Sequence, residues 1–364
     1  MADSSTAIRL NPFKGCDGPA GSPVPWSPYG RILAERPNFT LDPLFHAGCY
    51  YVQDSSAMYV GYIFRKLLPL ATDGEGSAFS AVRVLDLCAA PGGKTTDIAA
   101  SLREAVGDAF ELTANEVIKS RAAVLSGNVA AWGDPNIIVT SVDPAVIGRT
   151  MKGYYDVIVA DVPCSGEGMF RKDPRAVEEW TPQLPGICAA RQKRILADAW
   201  PSLRQGGLLI YSTCTYEDCE NDSNLEWAAR ELGGEIIAPE NEFAQHGVEL
   251  TRCGNLLRAG TVPGEGQWVG ALRKNSEAPS ARCKTADLHP YESGIQLFNG
   301  PEPKVELDLQ QSLRYLHGDS FSLPDAPLGM LVVCYRSHPL GYVKNLGTRC
   351  NNLYPKGRRI RMDV

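Results

Sequence analysis

Val84-Leu-Asp-Leu-Cys-Ala-Ala-Pro-Gly-Gly-Lys94 runs from a short apolar strand through a turn of small residues into a helix. Ala89, Ala90, Gly92 and Gly93 carry little or no side chain, so a ligand can approach the backbone closely. About 20 residues further on, a second strand ends at Glu116, where an acid can accept hydrogen bonds from both hydroxyls of a ribose. Several readings compete for such a loop. A dinucleotide site wants G-x-G-x-x-G, which is absent. Gly93-Lys94-Thr95 matches the end of the P-loop pattern of an NTPase, but the opening glycine of that pattern falls at Cys88. A nucleoside cofactor without a triphosphate, such as S-adenosylmethionine, fits best. A tight packing turn with no ligand is the bland alternative, disfavoured by the run of small residues and by the acid that follows.

Outward from this loop, short apolar runs alternate with helical stretches. Strands are expected at 82–87, 110–116, 137–140, 156–161, 208–212 and 268–273. The run at 156–161 is apolar between its terminal aspartates, as the interiors of buried parallel strands tend to be. Helices are expected at 94–104, 118–132 and 186–204, the last closed by Gly206-Gly207. Another is expected to run to Leu232 from an N-cap at Thr215, with Asp218 three residues on. This alternation implies a doubly wound, Rossmann-like α/β sheet. Right-handed crossovers then put the strand-to-helix loops at the carboxyl edge, where ligands bind. Residues 1 to 45 are rich in Gly and Pro and read as irregular, and 50–70 read as an amphipathic helix carrying Met58, Tyr62, Phe64 and Leu67.

Two cysteines stand out by position. Asp161-Val-Pro-Cys164-Ser-Gly-Glu-Gly follows the fourth strand, and Ser212-Thr-Cys214-Thr-Tyr follows the fifth. Neighbouring parallel strands lie about 4.8 Å apart, so both thiols can face one pocket beside the cofactor loop. A thiolate that adds to carbon 6 of a cytosine makes carbon 5 nucleophilic, which is covalent catalysis. The thiol must be activated by its neighbours, and the base must be unstacked to reach it. Any single cysteine is more often a buried structural residue. Two at adjacent strand ends beside a cofactor loop favour the functional reading, with a regulatory disulfide between them as a lesser alternative.

Composition bounds the rest. With 364 residues and 44% hydrophobic side chains, the chain can bury a sizeable core. It holds no run of eighteen apolar residues and no secretory leader pattern, so a cytoplasmic protein without a membrane partner is expected. Eleven cysteines with no CxxC pair give no support to a metal site or a disulfide framework. The net charge of −6 argues mildly against nucleic acid. However, Arg336, Lys344, Arg349, Lys356, Arg358, Arg359 and Arg361 follow one another with no acid between them. Such a run can neutralise phosphates, although a solvated basic tail explains it equally well.

The motifs Cys88-Ala-Ala-Pro-Gly-Gly-Lys94, Asp161-Val-Pro-Cys164-Ser-Gly-Glu-Gly and Ser212-Thr-Cys214 closely resemble those of the Nop/Sun family of RNA cytosine-5 methyltransferases. Further segments are similar to its RsmF-like (YebU-like) branch, which modifies 16S ribosomal RNA. These are Ala7-Ile-Arg-Leu-Asn-Pro12, Tyr50-Tyr-Val-Gln-Asp54, Met169-Phe-Arg-Lys-Asp-Pro174, and Pro339-Leu-Gly-Tyr-Val-Lys344 through Tyr354-Pro-Lys-Gly357. The resemblance implies a class I methyltransferase sheet using S-adenosylmethionine. It implies that Cys88, Ala89, Ala90, Pro91, Gly92, Gly93 and Lys94 line the cofactor. Glu116 would hold the ribose, Asp143 would lie near the adenine, and Asp161 would sit between methyl donor and base. It makes Cys214 the nucleophile and Cys164 the residue that aids product release. A cysteine after proline is the nucleophile in DNA cytosine methyltransferases, so spacing alone leaves Cys164 open for that role.

The expected organisation is an N-terminal segment over 1–80, a partial RNA-binding region plus a lead-in helix. A methyltransferase domain over 81–275, a linker over 276–304 and a small PUA-like α+β RNA-binding domain over 305–364 follow. The branch normally carries a further segment before Arg-Leu-Asn-Pro, so a truncated start is expected. RNA, 16S rRNA or the small ribosomal subunit, is the expected partner of a monomeric chain, with tRNA as the alternative substrate. A non-catalytic RNA-binding protein is the rival from another class, and the paired cysteines argue against it.

Overall fold

The computed structural model describes residues 5–72, 81–171, 174–277, 284–291 and 301–362. Near the amino terminus, strands β1 (Thr6–Leu10), β2 (Ser22–Val24), β3 (Ser27–Leu33) and β4 (Tyr50–Val52) pair antiparallel in the order β2-β3-β1-β4. The expectation of an irregular stretch over 1–45 is therefore corrected. The prolines sit where a ladder tolerates them, Pro23 in the edge strand β2 and Pro28 exposed near the start of β3. A single-turn helix α1 (Pro43–His46) and helix α2 (Met58–Thr72) belong to the same segment. The helix expected from residue 50 starts later because Tyr50 pairs with Leu10 and extends the sheet.

The central domain runs β5 (Val82–Asp86), α3 (Gly93–Val106), β6 (Phe110–Asn115), α4 (Lys119–Trp132), β7 (Ile137–Thr140), α5 (Pro144–Thr150) and β8 (Tyr155–Asp161). It continues through α6 (Pro174–Glu179), α7 (Leu184–Ala199), β9 (Leu203–Thr213), α8 (Asp222–Leu232), β10 (Gly234–Ile236), β11 (Val248–Leu250), β12 (Gly254–Arg258) and β13 (Gly266–Lys274). The strand order is β11-β12-β13-β9-β8-β5-β6-β7, with β10 against β13. β7, β6, β5, β8 and β9 are parallel, and β13, β12 and β11 run antiparallel at the other end. The doubly wound sheet is thus present. Phe64, Ile98 and Leu125 pack on one face, and Ile147, Leu196 and Leu225 pack on the other. Each such side chain contributes roughly 1.5–3 kcal/mol on burial. The chain leaves β5 toward β6 and returns to β8 on its other side, so the carboxyl ends of β5 and β8 flank a topological switch point.

Two local readings are corrected. Gly206-Gly207 does not close a helix; α7 ends at Ala199, and the glycines lie inside β9. They absorb a register shift between Tyr155↔Leu203 and Val157↔Leu208, with Gly206 at φ +74°. Helix α8 is capped at Asn221 and not at Thr215, whose hydroxyl is engaged elsewhere.

The expected linker over 276–304 is partly docked. Thr285 and Leu288 are buried, and the Tyr291 N–H donates to Val139 O at 2.7 Å. Residues 278–283 and 292–300 lie outside the described residues. Beyond them, β14 (Lys304–Glu306), α9 (Leu309–His317), β15 (Gly329–Tyr335), β16 (His338–Asn345) and β17 (Cys350–Asn352) form a small sheet in the order β14-β15-β16-β17 with one helix. Its core is continuous with the N-terminal sheet: Ile8, Leu44 and Tyr50 share a cluster with Tyr315, Leu331 and Val343. Arg336, Lys344, Arg349, Lys356 and Arg361 are exposed on this domain. No helix among the described residues is long and apolar enough to cross a membrane.

Candidate active site

Five parallel strands end at one edge, and the loops after them surround a cavity of about 490 Å³. Cys88 and Ala90 from the loop after β5, Glu116 after β6, Asp143 after β7, Asp161 and Cys164 after β8, and Cys214 after β9 all line it. Ala89, Pro91, Gly92, Gly93 and Lys94 do not. Ala89 donates its N–H to Asn115 O at 2.8 Å and anchors the loop to β6. Gly92 adopts φ +113°, which only glycine takes readily, and a Cβ on Gly93 would press on Tyr51 at 3.3 Å. These glycines serve the turn and its packing; the small residue on the cavity wall is Ala90.

The wall is chemically graded. Burial, reinforced by the carboxylates of Asp86, Asp161 and Glu116, pushes the Cys88 thiol up, so it presents a neutral surface. Glu116 is only 3% exposed. Its Oε1 accepts from the Ile118 N–H at 3.0 Å, while Oε2 makes no hydrogen bond, its nearest charge being Arg121 at 3.3 Å. That oxygen is ion-paired with Arg121 without a well-aligned hydrogen bond, so it has lone pairs to offer a ligand that brings hydroxyls. Beside it, Val117 and Ile118 line the same cavity as exposed apolar side chains, a surface suited to a flat base. Asp143 caps α5 by accepting from the Ala145 N–H at 2.8 Å while lining the cavity. Beneath the loop, fully buried Asp86 accepts from Thr95 Oγ1 at 2.6 Å, and burial pushes its carboxyl up to about 7.

At the far side the two thiols touch. Cys164 Sγ lies 3.0 Å from Cys214 Sγ, and the Cys214 N–H donates to Cys164 Sγ at 3.3 Å. Their mutual hydrogen bond, then burial, drives the Cys164 thiol well above its ordinary range, so Cys164 keeps its proton, and either sulfur can donate in the contact. Lys94 Nζ pairs with Asp161 Oδ2 at 2.7 Å. Burial alone would lower the Lys94 ammonium, but Asp161 outweighs it and holds it above its usual range, with Cys214 close enough to add to the effect. Asp161 Oδ1 accepts from Ser212 Oγ at 2.7 Å and from Gln267 Nε2 at 3.0 Å.

The two cysteine loops brace each other. The Ser165 N–H donates to Glu220 Oε2 at 3.1 Å, and Gln192 holds both that oxygen, at 2.6 Å, and Pro163 O, at 3.0 Å. Glu167 Oε2 accepts from Thr215 Oγ1 at 2.9 Å and from the Tyr216 N–H at 2.8 Å. The Gly168 N–H donates to Cys214 O at 2.8 Å.

The geometry has counterparts among known proteins. Residues 79–247 match the model of the family described as 16S rRNA methyltransferase RsmB/F. Residues 302–360 match the methyltransferase RsmF PUA domain, and 1–55 match the N-terminal domain of 16S rRNA methyltransferase RsmF. A ribosomal RNA small subunit methyltransferase F from Pectobacterium carotovorum is 35% identical over 353 residues, which are 93% of this chain and 69% of that protein. The chain belongs to the ribosomal RNA small subunit methyltransferase F family. A methyltransferase F from Cronobacter sakazakii is 36% identical over 74% of this chain and 55% of its own length. The chain thus spans between about half and about two thirds of the curated relatives' length. Among solved structures, a methyltransferase homolog from Pyrococcus horikoshii aligns with TM-score 0.57 and 25% identity over 74% of this chain and 87% of its own. NSun6 from the same organism, solved with SFG, aligns with TM-score 0.58 and 18% identity over 76% and 92%. These likenesses show the fold.

Within this methyltransferase F chain, sequence reasoning missed several supports. Glu167, Glu220 and Gln192 brace the thiols, although Glu167 was visible inside the Cys164 motif. Arg191 and Arg194 put positive charge on the cavity rim from α7. Arg9 reaches the cofactor loop from β1, fully buried, donating to Gly93 O at 3.0 Å, to Thr96 Oγ1 at 2.5 Å and to Gln53 Oε1 at 2.9 Å. A lone arginine in an otherwise apolar strand was the available signal.

Proposed function

We propose that this chain transfers a methyl group from S-adenosylmethionine to carbon 5 of a cytosine in RNA, with 16S ribosomal RNA as substrate. The observation that carries the reading is the pair of thiols in contact in the lining of one cavity that also holds the buried carboxylate of Glu116. Glu116 would hold the ribose hydroxyls, Val117 and Ile118 would face the adenine near Asp143, and Cys88 and Ala90 would flank the methionine portion. Bound S-adenosylmethionine supplies an electrophilic methyl group on a sulfonium.

The protein's own part begins at Cys214. Its sulfur touches that of Cys164 and lies close enough to the Lys94 ammonium to interact with it, the setting this reading assigns to the nucleophile. The thiolate adds to carbon 6 of the flipped base, and the electrons pushed toward carbon 5 make that carbon the nucleophile that accepts the methyl group. Asp161, fixed by Lys94, Ser212 and Gln267, stands ready to accept hydrogen bonds from the base. The proton on carbon 5 then leaves to a base at the cavity rim, and the freed electron pair breaks the carbon–sulfur bond. Cys164 touches the departing sulfur and donates a hydrogen bond to it. The basic face of the C-terminal domain would carry RNA phosphates.

The test is methylation of 16S rRNA by the purified chain, read by bisulfite sequencing. Cys214→Ala is expected to lower the rate by about a thousandfold or more while cofactor binding, measured by calorimetry, stays intact. A fully active Cys214→Ala protein would refute the mechanism.

A further inference from the structure

Far from this cavity, Cys16, Cys49 and His338 converge. Their sulfur and ring-nitrogen atoms all lie within 4.8 Å of one another. We propose that these three residues form a thiolate–imidazole site for a zinc-class cation that clips the N-terminal sheet to the C-terminal domain.

The donor set is selective. Two cysteine sulfurs and an imidazole are the soft-to-borderline ligands that suit Zn²⁺, and hard cations such as Mg²⁺ or Ca²⁺ prefer oxygen. With Zn–S near 2.3 Å and Zn–N near 2.0 Å, tetrahedral donors stand roughly 3.5 Å apart, so the observed cluster needs only a small contraction. Binding would release one proton from each thiol, and the two thiolates would balance the dication. A water would complete the tetrahedron as fourth ligand; His338 itself lines a cavity of about 330 Å³ beside Asn11, Lys14 and Trp132.

The three ligands are held from separate parts of the chain. Cys49 is fully buried just before β4, its carbonyl accepting from the Asn11 N–H at 2.8 Å and its N–H donating to Leu44 O at 3.0 Å. Cys16 follows the turn at Gly15. His338 is aimed by the β15–β16 hairpin, whose two turn residues, Arg336 at φ 47° and Ser337 at φ 67°, are left-handed without being glycine. Such conformations cost of order 1–3 kcal/mol each and persist where surroundings hold them. Here the Ser337 N–H donates to Glu306 Oε1 at 3.1 Å. Neither a packing turn nor the sheet requires a histidine at this position. The charged groups facing the cluster are Lys14, whose Nζ donates to Ala47 O and to Ala131 O, and the carboxylates Asp17, Asp42 and Glu306. The cluster escaped sequence reading because its ligands lie 33 and 289 positions apart (49 − 16 and 338 − 49) and no CxxC marks them.

The test is a Co²⁺ titration of the full chain, reduced and stripped of metal, followed by Zn²⁺ competition. One equivalent of Co²⁺ is expected to give a sulfur-to-cobalt charge-transfer band and tetrahedral d–d bands, which Zn²⁺ abolishes. Cys16→Ser and His338→Ala, at the two less buried positions, are each expected to weaken Co²⁺ binding at least about tenfold, while Cys214→Ala keeps the bands. The proposal is overturned if the bands do not appear, or if they vanish with Cys214→Ala and survive Cys16→Ser. Peptide mapping that finds Cys16 disulfide-bonded to Cys49 in freshly purified protein also overturns it.

Discussion

Cys164 and Cys214 are chemically identical side chains, and only their surroundings assign them different work. Cys164 is held protonated by its partner and by burial, while Cys214 sits nearer the Lys94 charge. Position in the loop matters as much as charge. A Cβ on Gly168 would stand 2.9 Å from Cys214 O and 3.0 Å from Glu265 O, both backbone atoms, so the Cys214 loop would have to shift. Gly168→Ala is expected to lower kcat about a hundredfold with cofactor affinity unchanged, as single-turnover kinetics and calorimetry would show. On the proposed reading Glu116→Ala would remove two charge-assisted hydrogen bonds to the ribose and should weaken the Kd for S-adenosylmethionine by about 2 kcal/mol, roughly thirtyfold. Asp86 gives a pH signature. Its folded-state carboxyl stands at about 7, raised by burial, so the folded chain binds the proton more tightly than the unfolded one. That contribution is fully present below the unfolded pKa, near 4, and is lost as pH rises through 7, with a slope of up to about 1.4 kcal/mol per pH unit between the two. Denaturation midpoints of Asp86→Asn should lack this component of the fall between pH 4 and 7; an unchanged profile would contradict the assignment.

At the scale of elements, the parallel strands were legible because each is a short apolar run bounded by small or polar residues, as at 82–87 and 156–161. Their carboxyl-edge loops follow from the handedness of the crossovers, which is why the sequence pattern alone puts Cys164 and Cys214 side by side. The N-terminal sheet was illegible because its pairing is long-range: β4 joins β1 across about forty residues of Gly- and Pro-rich chain. The bulge at Gly206-Gly207 was illegible for another reason, since paired glycines punctuate helix ends and strands alike. The sheet nonetheless bears on the site. Arg9 ties β1 to the cofactor loop and lies 3.8 Å from Asp97, which also pairs with Arg65 at 3.1 Å. Arg9→Leu leaves Asp97 with one cation and takes the guanidinium from Gly93 O and Thr96 Oγ1, and should cost about 3 kcal/mol of stability by urea denaturation. A loss below about 1 kcal/mol would mean that β1 does not support the loop.

Across the whole molecule, the N-terminal sheet and the C-terminal domain share one hydrophobic cluster and flank the methyltransferase domain together. Leu331→Ala, deep in that cluster, should cost about 3 kcal/mol. Hydrogen exchange should then speed up in β1 and β4 as well as in β15 and β16; protection lost in the C-terminal strands alone would show that the two parts are independent. This continuity was hidden in the sequence, where a basic tail and a Gly/Pro-rich start lie at opposite ends. The proposed function asks the same assembly to hold RNA while one base enters the cavity. The most direct measurement is therefore made on the full chain with 16S rRNA, S-adenosylmethionine and the Cys164→Ala substitution, run on a denaturing gel and followed by peptide mapping. The account predicts a slow-migrating protein–RNA adduct whose covalent bond maps to Cys214. An adduct that maps elsewhere, or migration unchanged by RNA, would contradict it.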